Sequence, residues 1–137
     1  MGFTDVYFCP LLANDLADIF VKMLERSLSG VYHVVSSESL SKYDFGIRLA
    51  KRFNLDSSLI NPTSVAQSGL IASRSPNLNL RSDKLAHALG ESLPRLSTGM
   101  DKLYTLYQQG YPQMLRSLEL SKPDIFVSTN TGGINGN

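Results

Sequence analysis

The sequence predicts an α/β domain of about four helices with a few short strands. In several segments, apolar residues recur at three-and-four spacing, which is typical of helices with one buried face. Between them lie short β-branched or aromatic runs bounded by glycine, proline or serine, which are typical of strands. With 137 residues, of which 42% are hydrophobic, the chain has the size of one domain that can bury a core.

The N-terminal part alternates predicted strands and a helix. Residues 4–9 alternate in pattern and predict a short strand that Pro10 ends. Asn14 is the predicted N-cap of a helix that reaches about residue 28, before Gly30. Residues 31–35, Val-Tyr-His-Val-Val, form a continuous apolar run, which predicts the best-buried strand of the domain, covered on both faces.

A capping box predicts the second helix. Ser41 and Asp44 stand at its first and fourth positions, and apolar residues then repeat every four residues to about Phe53. Residues 60–65 favour a short extended piece, and residues 66–76 form a polar loop.

Two further helices are expected after this loop. Ser82 should cap a short helix that ends before Gly90. Ser97 should cap a last helix, which either ends at Gly110 or resumes after Pro112. Residues 1–120 would then form the ordered lobe, followed by a tail at residues 121–137 whose Ser, Thr, Asn and Gly predict disorder.

Composition excludes several classes of function. The formal net charge of +1 includes no basic stripe for nucleic acid or an anionic membrane, and no apolar run is long enough to span a bilayer. The single cysteine, Cys9, excludes an internal disulfide and a cysteine-rich metal site, and it is expected to be a buried structural thiol. We therefore expect a cytoplasmic protein that binds neither nucleic acid nor membrane.

Arg74 is the candidate binding residue of the polar loop. It is the only cation between Arg52 and Arg81, and its planar guanidinium suits a phosphate or a carboxylate. Spacing alone favours a solvated loop arginine over a ligand-binding one, since most surface arginines bind nothing.

The residues around Arg74 resemble a known family. Arg74, Asn77, Leu80 and the Lys84-Leu85 pair match, without a gap, the Ala-Pro-Arg-Pro-x-Asn-x-x-Leu-x-x-x-Lys-Leu segment of dTDP-4-dehydrorhamnose reductases, which are extended short-chain dehydrogenases/reductases. Further similar segments follow in the same order from about residue 4 to residue 105: Pro10 with Asp15-Leu16-Ala17, Gly30-Val31-Tyr32-His33-Val34, Ser41-Lys42-Tyr43-Asp44-Phe45 and Leu89-Gly90. Ser75 departs from the pattern, because the family has proline there.

The resemblance implies a fold and a role. The chain would be the small C-terminal, substrate-binding lobe of an NAD(P)-dependent sugar-nucleotide reductase, with the Rossmann core missing. Arg74 would lie near the phosphates of a nucleotide-sugar, and Asn77 is a further candidate for substrate binding. The missing cofactor domain, another protein partner or a second copy of the chain would complete it, and residues 1–137 alone would be marginally stable.

The sequence lacks the family's two catalytic signatures. It contains no Gly-x-x-Gly-x-x-Gly turn for the cofactor pyrophosphate, and no tyrosine is followed four residues later by lysine. We therefore assign no catalytic, cofactor-binding or metal residue, and we expect no reductase chemistry from this chain alone. A second hypothesis remains open, a non-catalytic regulatory or protein-interaction module that resembles the regulatory subunit of methionine adenosyltransferase.

Overall fold

The computed structural model describes residues 1–72 and 75–120, apart from the side chains of residues 119 and 120. This part of the chain contains five α-helices: α1 Ala13–Glu25, α2 Lys42–Arg52, α3 Asp83–Leu89, α4 Leu96–Gln108 and α5 Tyr111–Leu120. Its strands are β1 Gly2–Phe3, β2 Tyr7–Phe8, β3 Leu40–Ser41, β4 Pro62–Thr63 and β5 Asn77–Leu78. The predicted α/β class is confirmed. There is one helix more than expected, because the chain turns through Gly110 (φ 75°) and resumes as α5.

Two small sheets hold the N-terminal segment in place. β1 pairs in parallel with β4, so that Gly2 lies opposite Pro62. β2 is the central strand of the other sheet, antiparallel to β3 and parallel to β5, with Tyr7 opposite both Ser41 and Asn77. Asn77, one of the two candidate binding residues, is thereby held beside the N-terminal segment.

Two clusters of buried residues form the core of residues 1–105, which make one compact unit. The first joins α1 to α3 and consists of Ile19, Leu85, Leu89 and Leu93. The second lies where α2 and α4 meet the sheet and consists of Leu40, Leu96 and Met100, with Phe8, Phe45 and Leu49 packed around them. A second unit begins at residue 106 and contains α5.

The predicted helix boundaries were partly right. Ser41 is the N-cap of α2, and its Oγ accepts from the Asp44 backbone N–H at 3.0 Å. Gly90 ends α3 in the left-handed conformation, with φ 68°. The prediction of Asn14 as the N-cap of α1 was wrong: the Leu12 carbonyl already accepts from the Leu16 N–H at 2.9 Å, so the helix starts earlier.

The predicted buried strand at residues 31–35 was also wrong. The segment is not a strand, and it is covered on one face instead of two. Tyr32 and Val34 are half-buried against the first core cluster, whereas Val31 is 79% exposed and His33 is exposed. A strand requires a hydrogen-bonded neighbour, and no described residue forms a ladder with this segment. The expectation of a tail at residues 121–137 lies outside the described residues.

None of the described helices is long and apolar enough to cross a membrane.

Candidate functional site

The sequence predicts two substrate-binding residues, Arg74 and Asn77. Arg74 lies outside the described residues. Asn77 is exposed in β5, and its Oδ1 accepts from the Asn79 backbone N–H at 3.0 Å. Asn77 therefore shapes the turn that leads out of the strand, and its role in substrate binding stays a prediction.

A polar cleft of about 330 Å³ opens directly after this turn. One wall is the loop of residues 36–39, the other is formed by residues 79–83, and Ser92 also belongs to the lining. Five serines contribute to its lining: Ser36, Ser37, Ser39, Ser82 and Ser92. The lining also has apolar members, Leu80, Ala86 and Leu93. We call this region the serine cleft.

Asn79 ties the two walls of the serine cleft together. Its Oδ1 accepts from Ser39 Oγ at 2.6 Å and from Cys9 Sγ at 3.5 Å. Cys9 is half-buried and belongs to the cleft lining, so the thiol is less enclosed than the sequence predicted. Nothing in the sequence indicates this role of Asn79, because its partners are 40 and 70 residues away.

Glu38 holds the 36–39 loop against two helices. Its carboxylate accepts from Arg48 of α2 and, at 3.3 Å, from the Ser97 backbone N–H at the start of α4. Arg95 lies 4.0 Å away. The hydrogen bond from Arg48 is the main reason that the pKa of Glu38 is lowered. Glu38 therefore remains an anion at neutral pH, and the loop that bears the serines has a fixed position.

The remaining charges at the cleft neutralise each other. Arg81 Nε lies 2.7 Å from Asp83 Oδ2, and the hydrogen bond between them lowers the pKa of Asp83. The described lining thus contains one arginine against two carboxylates, those of Glu38 and Asp83.

Three hydroxyls of the cleft are uncommitted. Among the described residues, the side chains of Ser37, Ser82 and Ser92 make no hydrogen bond, although all three line the cleft. Ser82 occupies the N-cap position of α3, as the sequence predicted, but its side chain does not cap the helix. A hydroxyl is both donor and acceptor, so these groups are suited to a polar ligand.

A second exposed feature lies on α1. Ala13, Ala17, Phe20, Val21 and Leu24 share one side of the helix, and all five are exposed. The exposed fractions of Phe20, Val21 and Leu24 are 48%, 54% and 78%. We call this side the α1 apolar face. Ile19, on a different side of the same helix, is 3% exposed and packs in the first core cluster.

No described residues form a group of three or more His, Cys, Asp or Glu side chains that could hold a metal ion.

Comparison with protein families gives one match. Residues 3–109 match the family model described as the RmlD substrate binding domain.

Two curated proteins are similar to parts of this sequence. Methionine adenosyltransferase 2 subunit beta of Danio rerio is 33% identical over 103 residues, which cover 69% of this chain and 32% of that protein. A Haloferax volcanii protein named "Probable low-salt glycan biosynthesis reductase Agl14" is 28% identical over 101 residues, covering 74% of this chain and 34% of its own length. The chain therefore spans about a third of the length of the curated relatives it matches.

Solved structures show the same fold. The dTDP-4-dehydrorhamnose reductase of Bacillus anthracis, in complex with NADP, matches with a TM-score of 0.67 at 22% identity, over 76% of this chain and 37% of that one. An orthologous reductase from Clostridium acetobutylicum matches with a TM-score of 0.67 at 20% identity, over 79% of this chain and 38% of that one.

Proposed function

This chain belongs to the family of RmlD substrate-binding domains, and on that premise we propose that it is the substrate-binding portion of an NAD(P)-dependent sugar-nucleotide reductase. In this proposal it contacts a nucleotide-sugar and does not catalyse reduction alone. The observation that carries the proposal is the family match over residues 3–109, a range that includes Arg74, Asn77 and the serine cleft.

The proposed contact to the nucleotide uses the loop before the cleft. Arg74 would bind the phosphates, since a guanidinium can donate two parallel hydrogen bonds to phosphate oxygens. Asn77 would contribute less directly, because its Oδ1 is engaged by the Asn79 N–H. The two remain the candidate substrate-binding residues.

The residues of this chain do not fit the cofactor. Binding a dinucleotide pyrophosphate requires a glycine-rich turn at the start of a helix, and the sequence contains none. NAD(P) would therefore be held by a separate cofactor-binding domain, which supplies the hydride. The single cysteine is consistent with a reducing compartment, and we place the protein in the cytoplasm.

The α1 apolar face is the proposed docking surface for that domain. Phe20, Val21 and Leu24 expose apolar surface that one domain rarely leaves uncovered. Residues 31–35 also have no ladder partner among the described residues, so their backbone groups can pair with a strand of another domain. At about 25 cal/mol per Å², covering a few hundred Å² would contribute on the order of 5 to 10 kcal/mol before the cost of association.

Calorimetry with a cofactor-binding domain of this family supplied in trans tests the proposal. We expect the complex to bind a nucleotide-sugar and Arg74→Ala to weaken binding by about tenfold or more. Arg116→Ala, on exposed α5, is the control and should bind as the parent does. Unchanged binding by Arg74→Ala would remove Arg74 from the site, and no binding by the parent complex would refute the proposal.

One comparison favours a second candidate function. The relative at 33% identity is named as a subunit of methionine adenosyltransferase, so the chain could instead serve as a regulatory or protein-interaction module. Binding measurements with two ligands distinguish the two candidate functions. A module of this kind would bind a methionine adenosyltransferase catalytic subunit and show no affinity for nucleotide-sugars.

A further inference from the structure

We infer that the serine cleft binds the neutral sugar ring of the nucleotide-sugar, as a subsite separate from the phosphate-binding loop. This inference rests on the proposed function and deepens it, because it assigns a ligand group to a cavity that the family match does not describe. Three properties of the cleft carry it: its size, its paired charges and its hydroxyls that have no partner among the described residues.

The size of the cleft suits one ring. Its volume of about 330 Å³ is at the lower end of the range of ligand pockets, about 300 to 1,000 Å³. A base, a ribose, a diphosphate and a sugar would together exceed this space. The cleft can therefore hold one end of a nucleotide-sugar while the rest lies along the neighbouring loop.

The charged groups of the cleft are already paired. Arg81 is paired with Asp83, and Glu38 is paired with Arg48, which lies outside the lining. A diphosphate would therefore meet no unpaired cation in the described lining. A neutral, hydroxylated ligand needs no such cation.

The hydrogen-bonding groups of the cleft match a sugar. The hydroxyls of Ser37, Ser82 and Ser92 have no partner among the described residues, and each can donate to or accept from a sugar hydroxyl. The Ser39–Asn79 bond fixes one wall, so that the cleft is formed before a ligand arrives. Leu80, which is 47% exposed, offers an apolar surface to the C–H face of a ring.

Paired ligands test the inference. We would measure dissociation constants of the full chain, with the cofactor-binding domain in trans, for dTDP, UDP and GDP and for the corresponding glucose conjugates. We expect the conjugate of the preferred nucleotide to bind about tenfold more tightly than the nucleotide itself, since two or three hydrogen bonds are added. The double substitution Ser37→Ala/Ser92→Ala should abolish this difference and leave nucleotide binding unchanged.

The controls separate the possible failures. Ser37 and Ser92 are exposed, so their replacement leaves the core intact, and Ser29→Ala, exposed outside the cleft, should change nothing. Equal affinity for nucleotide and conjugate, or a preference that survives the double substitution, would overturn the inference and leave the proposed function standing. If neither ligand binds in any pair, the proposed function fails and this inference fails with it.

Discussion

Lys102 Nζ lies 2.7 Å from Asp15 Oδ1, and this ion pair links α4 to α1 across 87 residues of sequence. Asp15 is buried, with its side chain 10% exposed, whereas the second partner of the lysine, Asp18, is 68% exposed. The same ammonium group thus binds two carboxylates whose environments differ.

This difference predicts unequal effects of two matched substitutions. Asp15→Asn should lower the free energy of unfolding by about 1 to 2 kcal/mol, because a buried charge-assisted hydrogen bond is lost. Asp18→Asn should cost less than about 0.5 kcal/mol, since exposed pairs contribute little. Urea unfolding measures both, and equal effects would contradict the assignment of Asp15 as the structural partner.

The dependence on pH follows from the lysine. Its hydrogen bond to Asp15 raises the pKa of Lys102 above the ordinary value of 10.5. The stabilisation is therefore fully present below pH 10.5 and is lost as the pH rises through the folded-state pKa. Urea unfolding at several alkaline pH values measures this loss of stability. Replacing Lys51, an exposed lysine of α2, by methionine should leave the loss unchanged, whereas Lys102→Met should make it smaller.

Two serines at N-cap positions provide a second prediction. Ser41→Ala should destabilise the protein by about 1 kcal/mol, because its Oγ accepts from the Asp44 N–H. Ser82→Ala should cost less than about 0.5 kcal/mol, since the Ser82 side chain does not cap α3. Chemical denaturation of the two variants tests the difference, and a larger loss for Ser82→Ala would show that the hydroxyl has a structural role.

The stabilisation that Glu38 provides should depend on pH in the acid range. Its pKa is lowered, chiefly by Arg48, so its stabilising effect is present above the ordinary value of 4.5 and is lost as the pH falls through the folded-state pKa. Glu38→Gln should therefore cost about 1 kcal/mol at pH 7, and this cost should shrink as the pH falls below 4.5 and through the folded-state pKa. Glu25→Gln, at an exposed position, is the matched control, and a Glu38→Gln deficit that persists undiminished in acid would refute the assignment.

The α1 apolar face predicts the behaviour of the isolated chain. We expect residues 1–137 to be marginally stable or to self-associate, and Leu24→Lys to increase the monomer fraction in sedimentation without lowering stability. Ile19→Ala, in the core, should instead cost about 2 to 4 kcal/mol. The same Leu24→Lys variant should bind the cofactor-binding domain at least tenfold more weakly.

A contrary result is easily recognised. If the parent chain is a monomer at all concentrations and melts cooperatively at high temperature, its α1 apolar face needs no partner, and the docking proposal is wrong.

Local signals in the sequence predicted local structure well. The capping box at Ser41 and Asp44 and the left-handed Gly90 were found as expected, because each depends on residues within one turn of the chain. Residues 31–35 were predicted as a strand from their composition. Composition shows that a segment can be buried, but a strand also needs a neighbour, and none is found among the described residues.

Distant contacts within the candidate site were not predictable from the sequence. Asn79 and Ser39 meet across 40 residues, and neither the spacing nor the residue types distinguish them from other polar loop residues. The family pattern predicted Arg74 and Asn77 as substrate-binding residues instead. Their role in binding stays a prediction, whereas the serine cleft, whose second segment begins at Asn79, two residues after Asn77, is evident only from the three-dimensional structure.

The parallel pairing of Tyr7 with Asn77 also constrains the order of folding. β2 and β5 can meet only after the intervening chain has closed into a loop, and the entropy lost in closure grows with the length of that loop. During synthesis, β2 leaves the ribosome long before its partner exists, so this contact of long sequence separation should form late. The serine cleft includes residues from both ends of the loop and would be completed at that same late stage.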